Sequence, residues 1–237
     1  MERAGGKFDF RSDSARLSAF LHFGGTSYNQ KQIKGAESLK TRNMEKEIIN
    51  GFIEAVHSNA VKHGFWEGNP SDEHFLCLVV CELAEAVEAV RKCSFCHTKN
   101  MRFFEERIAE QPSCHEAATE AERYQYWFNN YVKDTMEDEL ADAYIRLCDL
   151  AGAHGLEYKP CNDMCSYVVS SENTFTENVL AITSIVTDGS IEIGKRIFAC
   201  MRQVERLAEL NYVNIEEHIK YKMRYNVLRE YKHGKAF

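Results

Sequence analysis

Four carboxylates in two short patterns are the side chains of this chain best suited to chemistry. Glu82 and Glu85 stand three apart in C-E-L-A-E-A-V-E-A, and Glu139 and Asp142 stand three apart in E-D-E-L-A-D-A-Y-I-R-L. That spacing puts both acids of a pair on one helix face, with Cβ atoms roughly 5–6 Å apart. Two such helices packed together bring four carboxylates to one place. Four clustered carboxylates do not all stay ionised without a cation between them. An all-oxygen donor set selects a hard ion, Mg²⁺ or Mn²⁺, and Mg²⁺ commonly takes phosphates as co-ligands. The two patterns therefore point to phosphate chemistry.

The elements that must position these acids are long helices. Residues 1–42 lack sustained periodicity, with Gly5-Gly6 and Gly24-Gly25 among scattered polar residues, and read as a poorly ordered arm (1–43). Met44 opens a clean amphipathic segment running to about His63, and Gly64 with Gly68-Asn69-Pro70 stops it. Ser71 is an N-cap for a helix over about 72–92, with Asp72 and Glu73 at its positive end. Leu76, Val79, Val80, Leu83, Val87 and Val90 form its core stripe. Glu82 lies roughly 100° from the centre of that stripe, among Phe75, Leu78 and Ala89. A buried bare carboxylate needs a partner. Asp134-x-x-Glu137 reads as a capping box for the second acidic helix, and Gly152 as its C-terminal glycine. Met136, Leu140, Ala143, Leu147 and Leu150 form that helix's stripe. Glu139 and Asp142 lie on its matching edge, whereas Glu88 and Asp138 point further round, toward solvent. Further helices are expected at about 176–187, 190–210 and 215–230, the last capped by Asn214-x-x-Glu217.

Composition agrees with a soluble helical domain. Among 237 residues there are 3 prolines and 13 glycines, and the formal charge is −7. Few turn residues favour helices over a turn-rich β architecture, and an acidic balance argues against a duplex nucleic-acid partner. No apolar run reaches membrane-span length, and the N-terminus lacks a signal core, so a cytoplasmic location is the expectation. Nine cysteines then read as reduced thiols, with Cys77, Cys81, Cys148 and Cys200 as small core residues.

On these residues the chain resembles the all-α nucleoside triphosphate pyrophosphohydrolases of the MazG-like superfamily, which includes the dimeric dUTPases and the dCTP pyrophosphatases. That signature is E-E-x-x-E followed by E-x-x-D. Here it appears as Cys81-Glu82-Leu83-Ala84-Glu85 and Glu139-Leu140-Ala141-Asp142, with Cys81 in place of the first acid. Flanking support comes from His63-Gly64-Phe65-Trp66-Glu67 and from Lys222-Met223-Arg224-Tyr225-Asn226-x-x-Arg229, which leads to His233-Gly234-Lys235. The similarity spans about 44–237, and residues 93–133 stand as an insertion between the acidic motifs. The resemblance implies an all-α helical bundle and a homo-oligomer, dimer or tetramer. It also implies hydrolysis of an NTP or dNTP to the monophosphate and pyrophosphate. Mg²⁺ would be held by Glu82, Glu85, Glu139 and Asp142, one of which could instead be the general base. A dUTP- or dCTP-specific enzyme is the rival within that class, and a catalytically silent helical interaction protein the rival outside it.

Lys222, Asn226 and Arg229 share one helix face, which reads either as a phosphate-binding stripe or as a solvated helix end; the acidic motifs favour the first. Lys235 is a further candidate. Trp66 reads either as a base-stacking platform or as a core aromatic. Cys93, Cys96 and Cys114, with His97 or His115, are a candidate zinc set of irregular spacing. Cys93-Ser94-Phe95-Cys96-His97 also matches a haem-attachment pattern, but no export signal accompanies it. No P-loop or G-x-S-x-G elbow occurs.

Overall fold

The computed structural model describes residues 44–96, 98–110, 119–159 and 169–234. The expected N-terminal arm lies outside these residues, as do Lys235, His97, Cys114 and His115. Every regular element among the described residues is helical: α1 Lys46–Lys62, α2 Asp72–Arg91, α3 Thr98–Ala109, α4 Glu120–Tyr131, α5 Met136–Ala153, α6 Phe175–Thr187, α7 Ile193–Leu210, α8 Ile215–Val227 and a short 3₁₀ turn, Tyr231–Gly234. No described helix is long and apolar enough to cross a membrane.

The two acidic helices carry the starts that position their carboxylates. Ser71 Oγ accepts the backbone N–H of His74 at the head of α2. At the head of α5 the cap falls one residue later than the sequence suggested. Thr135 Oγ1 accepts the N–H of Asp138, and Asp138 reaches back to accept the N–H of Asp134 at 3.1 Å. Asp134 has φ +60° and so belongs to the preceding turn. The end of α5 differs too. The C-terminal glycine is Gly155, at φ +61°, whereas Gly152 sits inside the helix. A Cβ on Gly152 would lie 2.4 Å from the Cβ of His57, so its bareness lets α1 cross α5 closely.

Helix α5 runs through the middle of the body and packs against α1, α2, α7 and α8, while α6 lies against α2 and α7. Leu140, Ala143, Leu147 and Leu150 are fully enclosed, and so are Tyr144 and Cys148. Each buried leucine of this kind is worth about 1.5–3 kcal/mol of transfer free energy. The inward face of α2 is Phe75, Leu76, Val79, Glu82, Leu83, Ala86 and Ala89. Val80, Val87 and Val90 are only half-buried, so the face is turned toward Glu82 from the expected stripe. The small Ala86 and Ala89 allow the close approach of neighbouring helices that the valines would resist. Cys148 and Cys200 are buried as expected, but Cys77 and Cys81 are exposed, because they lie on the opposite side of α2.

The segment expected as an insertion contributes α3 and α4. Their apolar cluster of Phe104, Tyr124, Phe128 and Val132 closes on Tyr225 of α8. Phe128 stacks on Tyr225 with ring centres 4.3 Å apart, Tyr124 donates to the Tyr221 carbonyl at 2.7 Å, and Gln125 donates to the Leu228 carbonyl. These contacts fix the helix that carries Lys222 and Asn226.

Candidate metal centre

Three of the four predicted acids come together. Glu82, Glu85 and Glu139 each offer a carboxylate oxygen within 4.8 Å of the other two. Glu82 and Glu139 are buried and Glu85 is exposed, so the cluster opens to solvent on the Glu85 side. Asp142 takes a different place. One turn along α5, it pairs with Lys222 Nζ at 2.7 Å.

A second cluster lies beneath the first. Asp138, only 1% exposed, receives Lys222 Nζ on both oxygens at 2.9 and 2.8 Å. Asp138 is therefore a core ion-pair residue and not a solvated one. Its position follows from the shifted cap, which turns the side chain back toward Asp134 and inward. Burial opposes the Lys222 ammonium, but Asp138 and Asp142 hold it charged, above the usual lysine range. Burial raises Asp138 and Lys222 pulls it back, to about 6, so the pair is ionic at neutral pH.

The triad carries less positive charge. Arg146 Nε donates to Glu82 Oε1 at 3.1 Å. Among the described residues, no lysine or arginine forms an ion pair with Glu85 or Glu139. Burial first, then Asp142, raises Glu82 to about 7 against the pull of Arg146. Burial first, then Asp138 and Asp142, pushes Glu139 to about 9. Glu139 without a cation is thus protonated at neutral pH, a buried acid 4% exposed.

These residues fit a hard divalent ion. The donors are all carboxylate oxygens, and the local field opposes their ionisation in the way a cation would relieve. Ligands about 2.1 Å from an octahedral Mg²⁺ lie up to about 4.2 Å apart.

Of the four predicted acids, Glu82 and Asp142 line a cleft of about 140 Å³. Its walls combine apolar side chains, Val56, Phe65, Ile145 and Met223, with the polar Asn59, Arg146, Asp149, Asn226 and Arg229. Asn226 is 8% exposed, and its Oδ1 has no hydrogen-bond partner. Arg229 also lines the cleft and donates to the His233 carbonyl at 3.1 Å. Of the predicted phosphate-binding stripe, Asn226 and Arg229 thus face the cleft, while Lys222 is taken by two aspartates.

Trp66 occupies the place of a core aromatic. Its ring stacks on Phe75 with centres 4.1 Å apart, and its indole N–H donates to Asp149 Oδ1 at 2.9 Å. The same oxygen accepts from His57 Nδ1 at 2.8 Å. Burial raises Asp149, and the hydrogen bonds from His57 and Trp66 oppose that rise. The aromatic that faces the cleft is Phe65. Sequence reasoning missed Arg146, and Asp149, which shares the edge of Asp142 but lies two turns on, is only a lesser candidate in the sequence. Both follow Asp142 on the same helix edge, at four and seven residues, so helical phase alone could have included them.

For the candidate zinc set, Cys93 is exposed and Cys96 buried, with its thiol donating to the Tyr131 carbonyl at 3.3 Å. The other members lie outside the described residues. Compared with known proteins, the chain matches no family model, no curated protein and no solved structure.

Proposed function

We propose that this chain is a Mg²⁺-dependent nucleoside triphosphate pyrophosphohydrolase, converting an NTP or dNTP and water to the monophosphate and pyrophosphate. The observation that carries this reading is the gathering of Glu82, Glu85 and Glu139 oxygens, with Glu82 also lining a mixed apolar and polar cleft. Glu82, Glu85 and Glu139 would hold the ion, and Mn²⁺ suits the same donors. The bound ion supplies charge neutralisation for phosphate oxygens and a water of lowered pKa.

The chain's own residues supply the rest. Arg146 holds Glu82 in place from within α5. Lys222 neutralises Asp138 and Asp142 and so ties α8 to the acidic face of α5; it is a positioning residue. Phe65, Ile145 and Met223 give a nucleoside an apolar wall, and the Asn226 amide and Arg229 guanidinium give it polar partners. The reaction class requires attack of water oxygen on the α-phosphorus and departure of pyrophosphate with the α–β bridging oxygen. Both reactants would then lie where Glu82 meets the cleft.

Within this class, a dUTP- or dCTP-specific enzyme is compatible with the same site. A catalytically silent helical protein accounts for the paired Glu82, Asp138 and Asp142 and for Glu139 as a buried neutral acid, but leaves the gathering of the Glu82, Glu85 and Glu139 oxygens without a role. The test is a Mg²⁺-dependent pyrophosphate-release screen across NTPs and dNTPs, with Mn²⁺ binding followed in parallel on wild type and Glu139→Gln. Loss of both in the variant supports the assignment. Absence of pyrophosphate from every nucleotide, with Mn²⁺ binding unchanged by the substitution, overturns it.

A further inference from the structure

Beyond α8 the chain folds back over 229–234 as a strap against the end of α1, and Arg229 and His233 of this strap line the cleft. One side chain of the α1 end holds it. His63 Nδ1 lies 2.9 Å from the Asn59 carbonyl oxygen, and His63 Nε2 lies 3.1 Å from the Arg229 carbonyl oxygen. A carbonyl oxygen only accepts, so each bond needs a proton on the ring nitrogen. A neutral imidazole carries one such proton and an imidazolium carries two. Both bonds therefore exist together only in the charged ring. The His63 backbone adds a further tie, its carbonyl accepting the N–H of Lys232 at 2.9 Å.

We infer that His63 is a proton-operated latch, which seats the strap on the cleft when its ring is doubly protonated and loosens it when the ring is neutral. Loss of the proton weakens the strap bond in either tautomer. One tautomer takes the proton from Nε2 and turns a lone pair toward the Arg229 oxygen. The other keeps that proton but exchanges a charge-assisted bond for a neutral one about half as strong. Histidine is the side chain whose charge changes between pH 5 and 8, so the latch works within that range.

The strap is built to move. Lys232 and His233 have φ +47° and +51°, left-handed values that residues with a Cβ adopt rarely, so the turn needs outside contacts to persist. Arg229 donates to the His233 carbonyl at 3.1 Å, and the Tyr231 hydroxyl donates to Glu67. The His233 ring lies edge-on to His63 and to Phe65, with centres 5.2 and 4.9 Å away. Charges around His63 act both ways. Lys62, Arg229 and Lys232 oppose a further positive charge, and Glu67 and Glu230 favour one. His233 is the neighbour that titrates in the same range, so its own variant separates the two rings. Seating Arg229 and His233 completes one wall of the cleft. That this wall serves a nucleotide rests on the hydrolase reading, whereas the latch does not.

Amide hydrogen exchange on the full chain, without nucleotide or metal, measures the latch. Exchange over 229–234 is followed by mass spectrometry from pH 5 to 8 and divided by the intrinsic rate at each pH. The expected result is about tenfold greater protection at the acid end, which is about 1.4 kcal/mol and the scale of one hydrogen bond to a charged group. In parallel, ¹⁵N-histidine NMR follows the rings. His63 is expected to carry protons on both nitrogens at the acid end, with a midpoint that coincides with that of the protection change. His63→Gln removes the pH dependence and leaves protection near the alkaline wild-type level, and His233→Gln retains the dependence. Protection that does not change with pH, that keeps its pH dependence in His63→Gln, or that follows the His233 midpoint overturns the latch. The wild-type midpoints decide the matter by themselves where His63→Gln fails to fold. Absence of pyrophosphate release from every nucleotide removes the hydrolase reading and leaves this result standing.

Discussion

Glu139 gives the sharpest test of the electrostatics, because its stability contribution has an unusual sign. Its carboxyl titrates at about 9 in the folded chain against a reference of 4.5. Between these values the folded state holds a proton that the unfolded state has released, so stability falls as pH rises through this window. At pH 7 the unfolded carboxyl has been ionised for 2.5 pH units, which at about 1.4 kcal/mol per unit corresponds to about 3.5 kcal/mol. That figure is an upper bound, since relaxation around Glu85 lets water in. Glu139→Gln removes the titration while keeping the shape. In the presence of EDTA the variant is therefore more stable than wild type at pH 8, and the advantage shrinks to nothing near pH 4.5. About 2–4 °C per kcal/mol is expected for a domain of this size, so thermal unfolding across pH resolves the effect. Adding Mg²⁺ reverses the order: wild type gains by mass action, and the variant gains less. A variant less stable than wild type at pH 8 in EDTA, or a difference independent of pH, would refute the reasoning.

Other outcomes follow from the same geometry. Mg²⁺ binding at pH 7 releases protons, chiefly from Glu139, and affinity rises with pH toward 9; titration calorimetry in buffers of different ionisation enthalpy measures this, and a buffer-independent heat contradicts it. Lys222→Met leaves Asp138 and Asp142 together without a cation and costs about 3–5 kcal/mol in denaturant unfolding, whereas adding Asp138→Asn recovers much of the loss. Burial pushes His218 down to about 4 from 6.5, so stability declines as pH falls through that interval, and His218→Phe flattens this acid arm. Gly64 has φ +79°, and a Cβ there would meet the Tyr231 ring at 2.3 Å; Gly64→Ala destabilises by more than about 1 kcal/mol and raises proteolysis after Arg229.

Much of the helical architecture was legible because its signals are local. Ser71, the Gly68-Asn69-Pro70 break and the apolar periodicities place α1, α2, α5, α7 and α8 to within a few residues. The α3 and α4 hairpin was not legible, because its core needs Tyr225, which is distant in sequence. The site shows the same division. Spacing brought Glu82, Glu85 and Glu139 to one place, but it could not decide which acids would meet Lys222. Asp138 looked solvated by helical phase, and it is buried because α8 delivers an ammonium to it. Trp66 offered two readings in sequence, and only the position of Asp149 separates them. Cys77 and Cys81 looked like core residues because apolar neighbours surround them in sequence, yet the rotation of α2 toward Glu82 leaves both outside.

The central claim is tested most directly by product analysis. The full chain is incubated with each NTP and dNTP in Mg²⁺ and ¹⁸O-labelled water. The proposed chemistry requires a nucleotide that yields monophosphate and pyrophosphate in equal amounts, with the label on the monophosphate, and loss of that yield in EDTA and in Glu139→Gln. Release of orthophosphate, label on pyrophosphate, or no turnover of any nucleotide contradicts it.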